Sequence, residues 1–454
     1  PSGNGYFKVP VWPFVDCSSQ LTEMNTLNPL PRVNDMNTRL KYPLLLLPLL
    51  LLSQACGGGA GAWEGTITDS AGIAVVHNTA TPIWRSGDEW TVTEDLRIGS
   101  IAGELEYQFG QIFPVGSIDI DPTGNIYVMD SQAQEARVFD SEGGYLRTLG
   151  GPGSGPGEFS AQAFFLFTDD TGRVYVPDLG NQRVTMFGST GEPLGSFPIQ
   201  IQAGIPARWK VDNAGRVIAQ LRGLNAAGIQ ALDDGDPLVV YDTTGAVVDT
   251  VALLPKGETI QEISEGQVSM LMFAPEPVWD IDDSGTVFYG MNNEYRILVK
   301  DPNGDLTRVI TYPAERKAVG ERDKAGILSF LRGQVEAAGA PPPAVEQFLQ
   351  GVAFAENYPA FSQIIVGPSN TLWIQRIRSA EDMIEGAEEE AELDLQNLGS
   401  PKWDIFDDQG RYLGLVTVPD GFAPVVAVGN HIYGVWADEL DVQYVMRLRV
   451  NIPG

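Results

Sequence analysis

A short turn signature recurs six times in this chain, each time just ahead of a run of β-forming residues, and that recurrence limits the fold more than any other feature. The turns are Asp121–Gly124, Asp169–Gly172, Asp212–Gly215, Asp282–Gly285, Gly367–Asn370 and Val428–Asn430. The strands expected after them contain Ile126-Tyr127-Val128, Val174-Tyr175-Val176, Val217-Ile218, Val287-Phe288-Tyr289, Leu372-Trp373-Ile374 and Ile432-Tyr433-Gly434. Asp at the first place caps the turn through its carboxylate. The final Gly, or Asn in the last two turns, suits a position with φ > 0.

A second turn follows most of these strands, marked by Asp and then Gly three residues on: Asp140 with Gly143, Asp242 with Gly245, Asp301 with Gly304 and Asp407 with Gly410. In the second unit Gly188 replaces the Asp ahead of Gly191. The first two units are in strict register at 48 residues, which pairs Gly124 with Gly172, Tyr127 with Tyr175, Asp130 with Asp178 and Phe139 with Phe187. Repeated four-stranded units of this length specify a β-propeller. The sixth unit lacks the second turn. A propeller must close its ring without leaving a hydrogen-bonding edge open, and the usual device completes the last blade with an N-terminal strand. Asp95-Leu96-Arg97-Ile98-Gly99 resembles the outer strands Tyr145–Gly150 and Tyr412–Leu415, yet no blade precedes it. The expected fold is therefore an all-β, six-bladed propeller with an N-terminal strand closing the last blade and a small helical insertion.

Leu44 to Leu52 is an almost pure leucine run, broken by Pro48 and preceded by Arg39 and Lys41. It is too short to span a bilayer and suits the apolar core of a signal peptide over residues 36–56. Its end, Ser53-Gln54-Ala55-Cys56, resembles a bacterial lipobox, with Ser53 where Leu is usual. On that resemblance Cys56 is the lipidation site, Met36 the true start, and residues 1–35 an upstream segment without function. Residues 57–65 then read as a flexible tether. The Gly after the lipidated Cys implies sorting to an outer membrane. Loss of Cys17 with the leader would leave no disulfide within the mature chain. The formal net charge of −30 becomes about one unit more acidic without the leader. Such a surface disfavours nucleic acid and anionic membrane faces.

Two insertions interrupt the later units. In residues 314–357, Ile327, Leu331 and Val335 recur at helical spacing, as do Val345, Phe348, Leu349 and Val352 after Pro341-Pro342-Pro343. Two amphipathic helices are expected there, as a cap on one propeller face or as a lid or docking element. Residues 377–400 hold eight carboxylates between Glu381 and Asp394 with no basic residue among them. These could collect calcium, but the order lacks the alternation of a dedicated calcium loop, and a solvated loop is the competing reading.

Counting excludes much chemistry. With two histidines, His77 and His431, a three-His zinc centre cannot form. No Gly-x-Ser-x-Gly elbow occurs, and the run Gly151 to Phe159 lacks the Gly-Lys-Ser/Thr end of a phosphate loop. That run reads as an interblade connection.

The same run, followed by Gly172-Arg173-Val174-Tyr175-Val176-Pro177-Asp178, Asn181, Arg183-Val184 and Phe187, closely resembles the NHL repeat of β-propellers. In the first unit, strict register puts Ala133 and Glu135 where Asn181 and Arg183 stand. The opening Asp69 to Asn78, before Trp84 and Trp90, also resembles the start of a family of six-bladed propeller lipoproteins from bacteria. NHL-type propellers include sensors, protein-binding modules and a zinc-dependent lyase, and similar six-bladed folds include lactonases with a central metal. The His count disfavours the lyase. A lactonase needs Glu, Asn and Asp converging on the channel, and Glu276, Asp280 and Gln363 are compatible in type. Fold analogy is the only warrant for such an enzyme.

The leading expectation is a lipid-anchored, extracytoplasmic module that binds a protein, peptide or glycan of the cell envelope, without catalysis and without a cofactor beyond the calcium weighed above. A metal-dependent lactonase-like hydrolase and a scaffold of an envelope assembly are the alternatives. Exposed aromatics and arginines anchor binding surfaces. Arg208, Trp209, Trp279, Trp373, Arg376 and Trp403 are the candidates, with blade packing as the other role open to each.

Overall fold

A computed structural model of the chain describes residues 61–201, 204–223, 235–258, 260–264, 267–379 and 399–453. The expected leader and signal segment, with Cys56, and the acidic run from Glu381 to Asp394 lie outside the described residues. Three strands come first: β1 (Thr66–Ser70), β2 (Ile73–His77) and β3 (Thr91–Ile98). The first blade is β4 (Ile118–Ile120), β5 (Ile126–Asp130), β6 (Glu135–Phe139) and β7 (Tyr145–Gly150). The second is β8 (Phe167–Thr168), β9 (Val174–Asp178), β10 (Arg183–Phe187) and β11 (Pro193–Pro198). The third is β12 (Ile205–Val211), β13 (Val217–Arg222), β14 (Asp236–Tyr241) and β15 (Val247–Leu254), followed by β16 (Ile260–Ser264) and β17 (Gln267–Met272) outside the blades. The fourth is β18 (Pro277–Ile281), β19 (Val287–Met291), β20 (Arg296–Lys300) and β21 (Leu306–Thr311). Helices α1 (Glu321–Ala337) and α2 (Pro342–Gln350) and strand β22 (Val352–Phe354) come next. The fifth blade is β23 (Gln363–Val366), β24 (Leu372–Ile377), β25 (Gly399–Phe406) and β26 (Tyr412–Thr417). The sixth is β27 (Phe422–Val428), β28 (His431–Ala437), β29 (Gln443–Asn451) and, from the other end of the chain, β3.

The ring closes as the missing second turn implies. β3 pairs antiparallel with β29 from Thr91 opposite Asn451 to Ile98 opposite Val445. The Asp95 carboxylate accepts from Arg447 Nε at 2.7 Å and lies 3.2 Å from His431 Nε2. What the repeat does not disclose is the path by which the chain arrives there. β2 adds in parallel to β21, with β1 folded back on it, so the fourth blade is a sheet of six strands. The chain then crosses the fifth blade, where the Ile83 and Trp84 N–H groups donate to Tyr412 and Leu413 carbonyls of β26 at 3.2 and 2.9 Å. One segment thus covers three consecutive outer edges, each of which would otherwise present unpaired backbone. Gly61 and Trp63, at the end of the expected tether, are hydrogen-bonded to Ile83 and Asn78.

The turns form for the reason read from their composition. Asp121 Oδ1 accepts the N–H groups of Thr123 and Asn125 at 2.8 and 3.0 Å, and Asp169 and Asp282 repeat the pattern. Gly124, Gly172, Gly215 and Gly285 all have φ between 71° and 87°. Asn370 takes the same region, but in the last turn Gly429 does so instead of the expected Asn430, because β28 has already begun at His431. The glycine of the second turn serves another end as well. A side chain on Gly143 would meet Ile98 of β3 at 3.2 Å, and one on Gly410 would meet Ile310 of β21 at 2.6 Å. Each second turn rests on the outer strand of the preceding blade, and at Gly143 that blade is the one closed by β3.

Six hydrophobic clusters follow the six seams between blades. Ile98, Ile112, Phe139, Tyr433 and Val445 join the sixth blade to the first. Each buried side chain of this size contributes about 1.5–3 kcal/mol of hydrophobic stabilisation. A seventh cluster lies outside the ring. There Ile327 of α1 packs with Phe273, Val319 and Tyr358, beside a three-stranded sheet of β16, β17 and β22 that the sequence reading does not contain. The helices lie within the expected insertion, and Pro341 and Pro342 start α2, at the cap and first turn, where a missing N–H costs nothing.

Candidate functional site

Antiparallel order within a blade decides which loops share a face. The connections between first and second and between third and fourth strands lie at one end, the turn face, and are the short Asp/Gly turns. Those between second and third strands, and from blade to blade, lie at the other. Among the described residues, the long connections between blades leave from this second end: 99–117, 151–166, 255–276 and 312–362. It is termed here the insertion face.

Buried polar side chains hold these connections in place. Asp130, at the end of β5, accepts the Gly110, Gln111 and Ala133 N–H groups at 2.8, 3.1 and 3.0 Å. Asp178, its partner in the 48-residue register, accepts those of Ser160 and Asn181. Arg183 donates to the carbonyls of Ser154, Gly155 and Glu158, which folds the glycine-rich run against the blade. Strict register assigns this place to Glu135 in the first blade. The structure gives the work to Arg137, two residues on along the same strand, which donates to the Glu106 and Gln108 carbonyls at 3.4 and 2.7 Å. Fourth-blade Asn292 does the same through the Glu276 N–H and the Phe361 carbonyl.

Near the propeller axis the charged groups of the innermost strands are spent on joining one blade to the next. Asp280 Oδ1 lies 3.0 Å from Lys210 Nζ and 3.5 Å from Arg208 Nη2, and Oδ2 accepts the Val366 N–H of the fifth blade at 3.0 Å. Burial opposes ionisation of Asp280, but Lys210, Arg208 and that N–H hold its pKa below the ordinary carboxylate value. Asp119 is its equivalent in the first blade, five residues ahead of the turn glycine as Asp280 is, and accepts the Thr168 N–H of the second blade at 2.6 Å. Burial raises its pKa, a shift that Thr168 and Lys210 reduce without cancelling. Gln363 Nε2 donates to the Pro424 carbonyl of the sixth blade at 3.3 Å. The residue reading found Asp280 and Gln363 but missed Asp119 and Lys210. Both stand five residues before a turn glycine, a signal present in the repeat.

Of the three residues weighed as compatible with a lactonase, Glu276 pairs with Arg222, Asp280 with Lys210 and Arg208, and Gln363 with a carbonyl, so each is engaged with a separate partner. This donor set does not fit a metal. Among the described residues, no group of three or more His, Cys, Asp or Glu is placed to hold one.

The candidate aromatics sit inside the seams. Trp209, Trp279, Trp373 and Trp403 are all buried. Trp209 stacks between Phe167 and Tyr241, while Trp279 and Trp373 donate to Gln220 Oε1 and Thr371 Oγ1. Arg208 lies over the Trp279 ring at 5.3 Å and donates to its carbonyl. Arg376 is partly exposed but makes a forked pair with the buried Asp404 at 2.6 and 3.0 Å, which also accepts from the Tyr295 and Tyr412 hydroxyls. Arg208 and the four tryptophans lie at seams between blades, whereas the Arg376 pair lies within the fifth blade. His77 bonds the hydroxyls of Thr68 and Thr311, and His431 faces Asp95.

A groove of about 330 Å³ lies on the turn face between the first and second blades, lined by Asp121, Thr123, Asn125, Asp170, Thr171 and Ser189. No helix among the described residues is long and apolar enough to cross a membrane.

Residues 112–201, the first two blades, match the model of a protein family, DUF5128, described as a 6-bladed beta-propeller. None of the curated proteins shows a significant sequence match. Solved structures similar to this chain include a member of the DUF4221 family from Bacteroides vulgatus, with 11% identity, coverage of 81% of this chain and 99% of that one, and a TM-score of 0.49. Virginiamycin B lyase from Staphylococcus aureus has 12% identity, coverage of 80% and 99%, and a TM-score of 0.39. A gluconolactonase from Xanthomonas campestris has 9% identity, coverage of 79% and 99%, and a TM-score of 0.40. Six sheets in a ring and the description of the matched family model agree on a six-bladed β-propeller, and in this protein the N-terminal segment closes it.

Proposed function

We propose that the protein is a non-catalytic binding module of the cell envelope, anchored by lipid at Cys56 on the extracytoplasmic side, which takes a protein, peptide or glycan on its insertion face. One observation carries this reading. Across the blade seams Asp280 is engaged with Lys210, Arg208 and the Val366 N–H, and Asp119 with Thr168, whereas the long connections between blades are gathered at one end. A catalytic propeller needs free acid, base or metal donors at the axis; a binding propeller needs an irregular face on a rigid ring. The separate sheet of β16, β17 and β22 with α1 and α2 enlarges that face with a core of its own. Elemental analysis of the protein purified without chelator tests the reading. The expected result is no stoichiometric metal retained in the ring. A metal bound one to one and lost on replacing Asp280 by Asn would establish the lactonase-like alternative instead.

A further inference from the structure

Half of the exposed large apolar residues of the described chain lie on outer strands, as Ile67, Leu146 and Leu194 do singly and Val247, Val248 and Leu253 do together on β15. At the seam between the sixth and first blades others gather on the insertion face. Leu105 is 75% exposed and Ile101 63%, both in the connection that follows β3, and Leu440 is 72% exposed in the turn that precedes β29. Since β3 and β29 are hydrogen-bonded neighbours, the two loops rise from adjacent strand ends. They are tied together by Gln443, whose side-chain amide exchanges two hydrogen bonds with the Ile112 backbone at 2.7 and 3.1 Å.

Neither loop is loose. The Leu105 tip is a single 3₁₀ turn in which Ser100 N–H donates to the Tyr107 carbonyl and Gln108 Nε2 to that of Gly103, and Arg137 grips the carbonyls of Glu106 and Gln108 from below. In the other, Asp438 Oδ1 accepts the N–H groups of Leu440 and Val442, Oδ2 accepts from the Tyr444 hydroxyl, and Asp441 is held at φ 58°. Beside them the Arg97 guanidinium lies over the Trp436 ring at 4.2 Å. Two leucines held outward on rigid tips lose little entropy when covered, which is the condition for an anchor residue.

The charge around them selects what covers them. Each leucine stands between two carboxylates, Glu104-Leu105-Glu106 and Glu439-Leu440-Asp441. Among the described residues none of these four carboxylates has a hydrogen-bonding or ionic partner, unlike the carboxylates near the axis. We propose that this seam docks a cationic amphipathic segment of a partner protein, one whose apolar side chains meet Leu105, Leu440 and Ile101 while flanking Lys or Arg residues meet the four carboxylates. The inference rests on the binding-module reading and gives its insertion face an address and a partner chemistry. An acidic peptide or an anionic lipid surface is excluded by the same four charges.

A fluorescein-labelled peptide alternating Lys and Leu is the probe, with a Lys-Ser peptide of equal charge beside it, and binding is read by anisotropy. Three variants separate the contributions: Leu105→Ser with Leu440→Ser; Glu104→Gln, Glu106→Gln, Glu439→Gln and Asp441→Asn together; and an equal neutralisation on the turn face, Glu142→Gln, Asp170→Asn, Asp305→Asn and Asp408→Asn. All these side chains are on the surface, so unchanged thermal unfolding shows that each variant folds. Kd for the Lys-Leu peptide is expected to rise about tenfold or more in the first two variants and less than about twofold in the third, with the Lys-Ser peptide binding weakly throughout. Equal weakening by both neutralisations would mean bulk attraction to an acidic protein and would overturn the proposal. So would indifference to the leucines, or no binding of the Lys-Leu peptide. None of these outcomes alters the metal content, so failure here remains distinct from failure of the binding-module reading.

Discussion

Replacing Ile98 by Ala probes whether the propeller depends on its N-terminal strand for integrity. Ile98 is the last residue of β3, 2% exposed, and its neighbours in the seam come from both ends of the ring: Ile112, Ile118, Val128 and Phe139 of the first blade side, and Tyr433, Val435 and Val445 of the sixth. The Gly143 turn of the first blade rests against its Cγ1. Truncation removes buried methyl and methylene groups, and this close-packed site cannot collapse without shifting that turn. The cost expected is about 2–5 kcal/mol, the range for large-to-small changes in a core. Ile67→Ala on β1, where Ile67 is 54% exposed, serves as the control and should change stability by less than about 0.5 kcal/mol. Urea unfolding followed by tryptophan fluorescence reads both, with hydrogen exchange across residues 91–98 to separate local from global opening. The reasoning fails if Ile98→Ala costs less than about 1 kcal/mol globally while exchange in β3 is already fast in the parent protein. In that case β3 would be an adherent edge, not a member of the sixth blade.

Asp280→Asn should weaken the joint of the third, fourth and fifth blades at neutral pH. Because the folded-state pKa of Asp280 lies below the ordinary value, its contribution is present above the unfolded-state pKa and is lost as the pH falls through the folded one. The stability difference between parent and variant should therefore shrink in acid, and a difference that grows as the pH falls would refute the assignment. Tyr241→Phe should leave stability unchanged or raise it by about 1 kcal/mol, since among the described residues the buried Tyr241 hydroxyl has no hydrogen-bond partner, and thermal unfolding checks this.

Where the chain uses local chemistry, the structure was legible in its residues. Asp at the head of a turn and Gly at its end announce themselves because an Asp carboxylate accepts the turn's N–H groups and Gly takes the positive φ without strain. The absence of a second turn in the sixth unit announced the ring closure in the same way. The covering of the fourth and fifth blades did not show. Thr66–His77 reads as a hairpin anywhere in the fold, and its attachment to β21 more than 230 residues away is chosen by which outer edge lies open, not by a local preference. Arg137 escaped strict register because a strand offers the same face at every second residue, so a function can move by two places without harm. The tryptophans show the limit from the other side. Residue type marks Trp279 or Trp403 equally as anchor or core, and only the neighbouring blade decides. At the seam the pattern of Leu between carboxylates was written twice in the chain, but its two copies lie more than 330 residues apart and acquire meaning only when β3 and β29 pair.

The proposed function places recognition on the insertion face, not at the axis or on the turn face. Site-specific photocrosslinking in the native cells measures this directly, with a benzophenone amino acid placed at Leu105 or Leu440 on the insertion face and at Asn303 or Gln409 on the turn face. The account predicts discrete adducts from the first pair, reduced when Glu104, Glu106, Glu439 and Asp441 are neutralised, and none from the second. Adducts confined to Asn303 or Gln409 would contradict it and place the partner on the face of short turns.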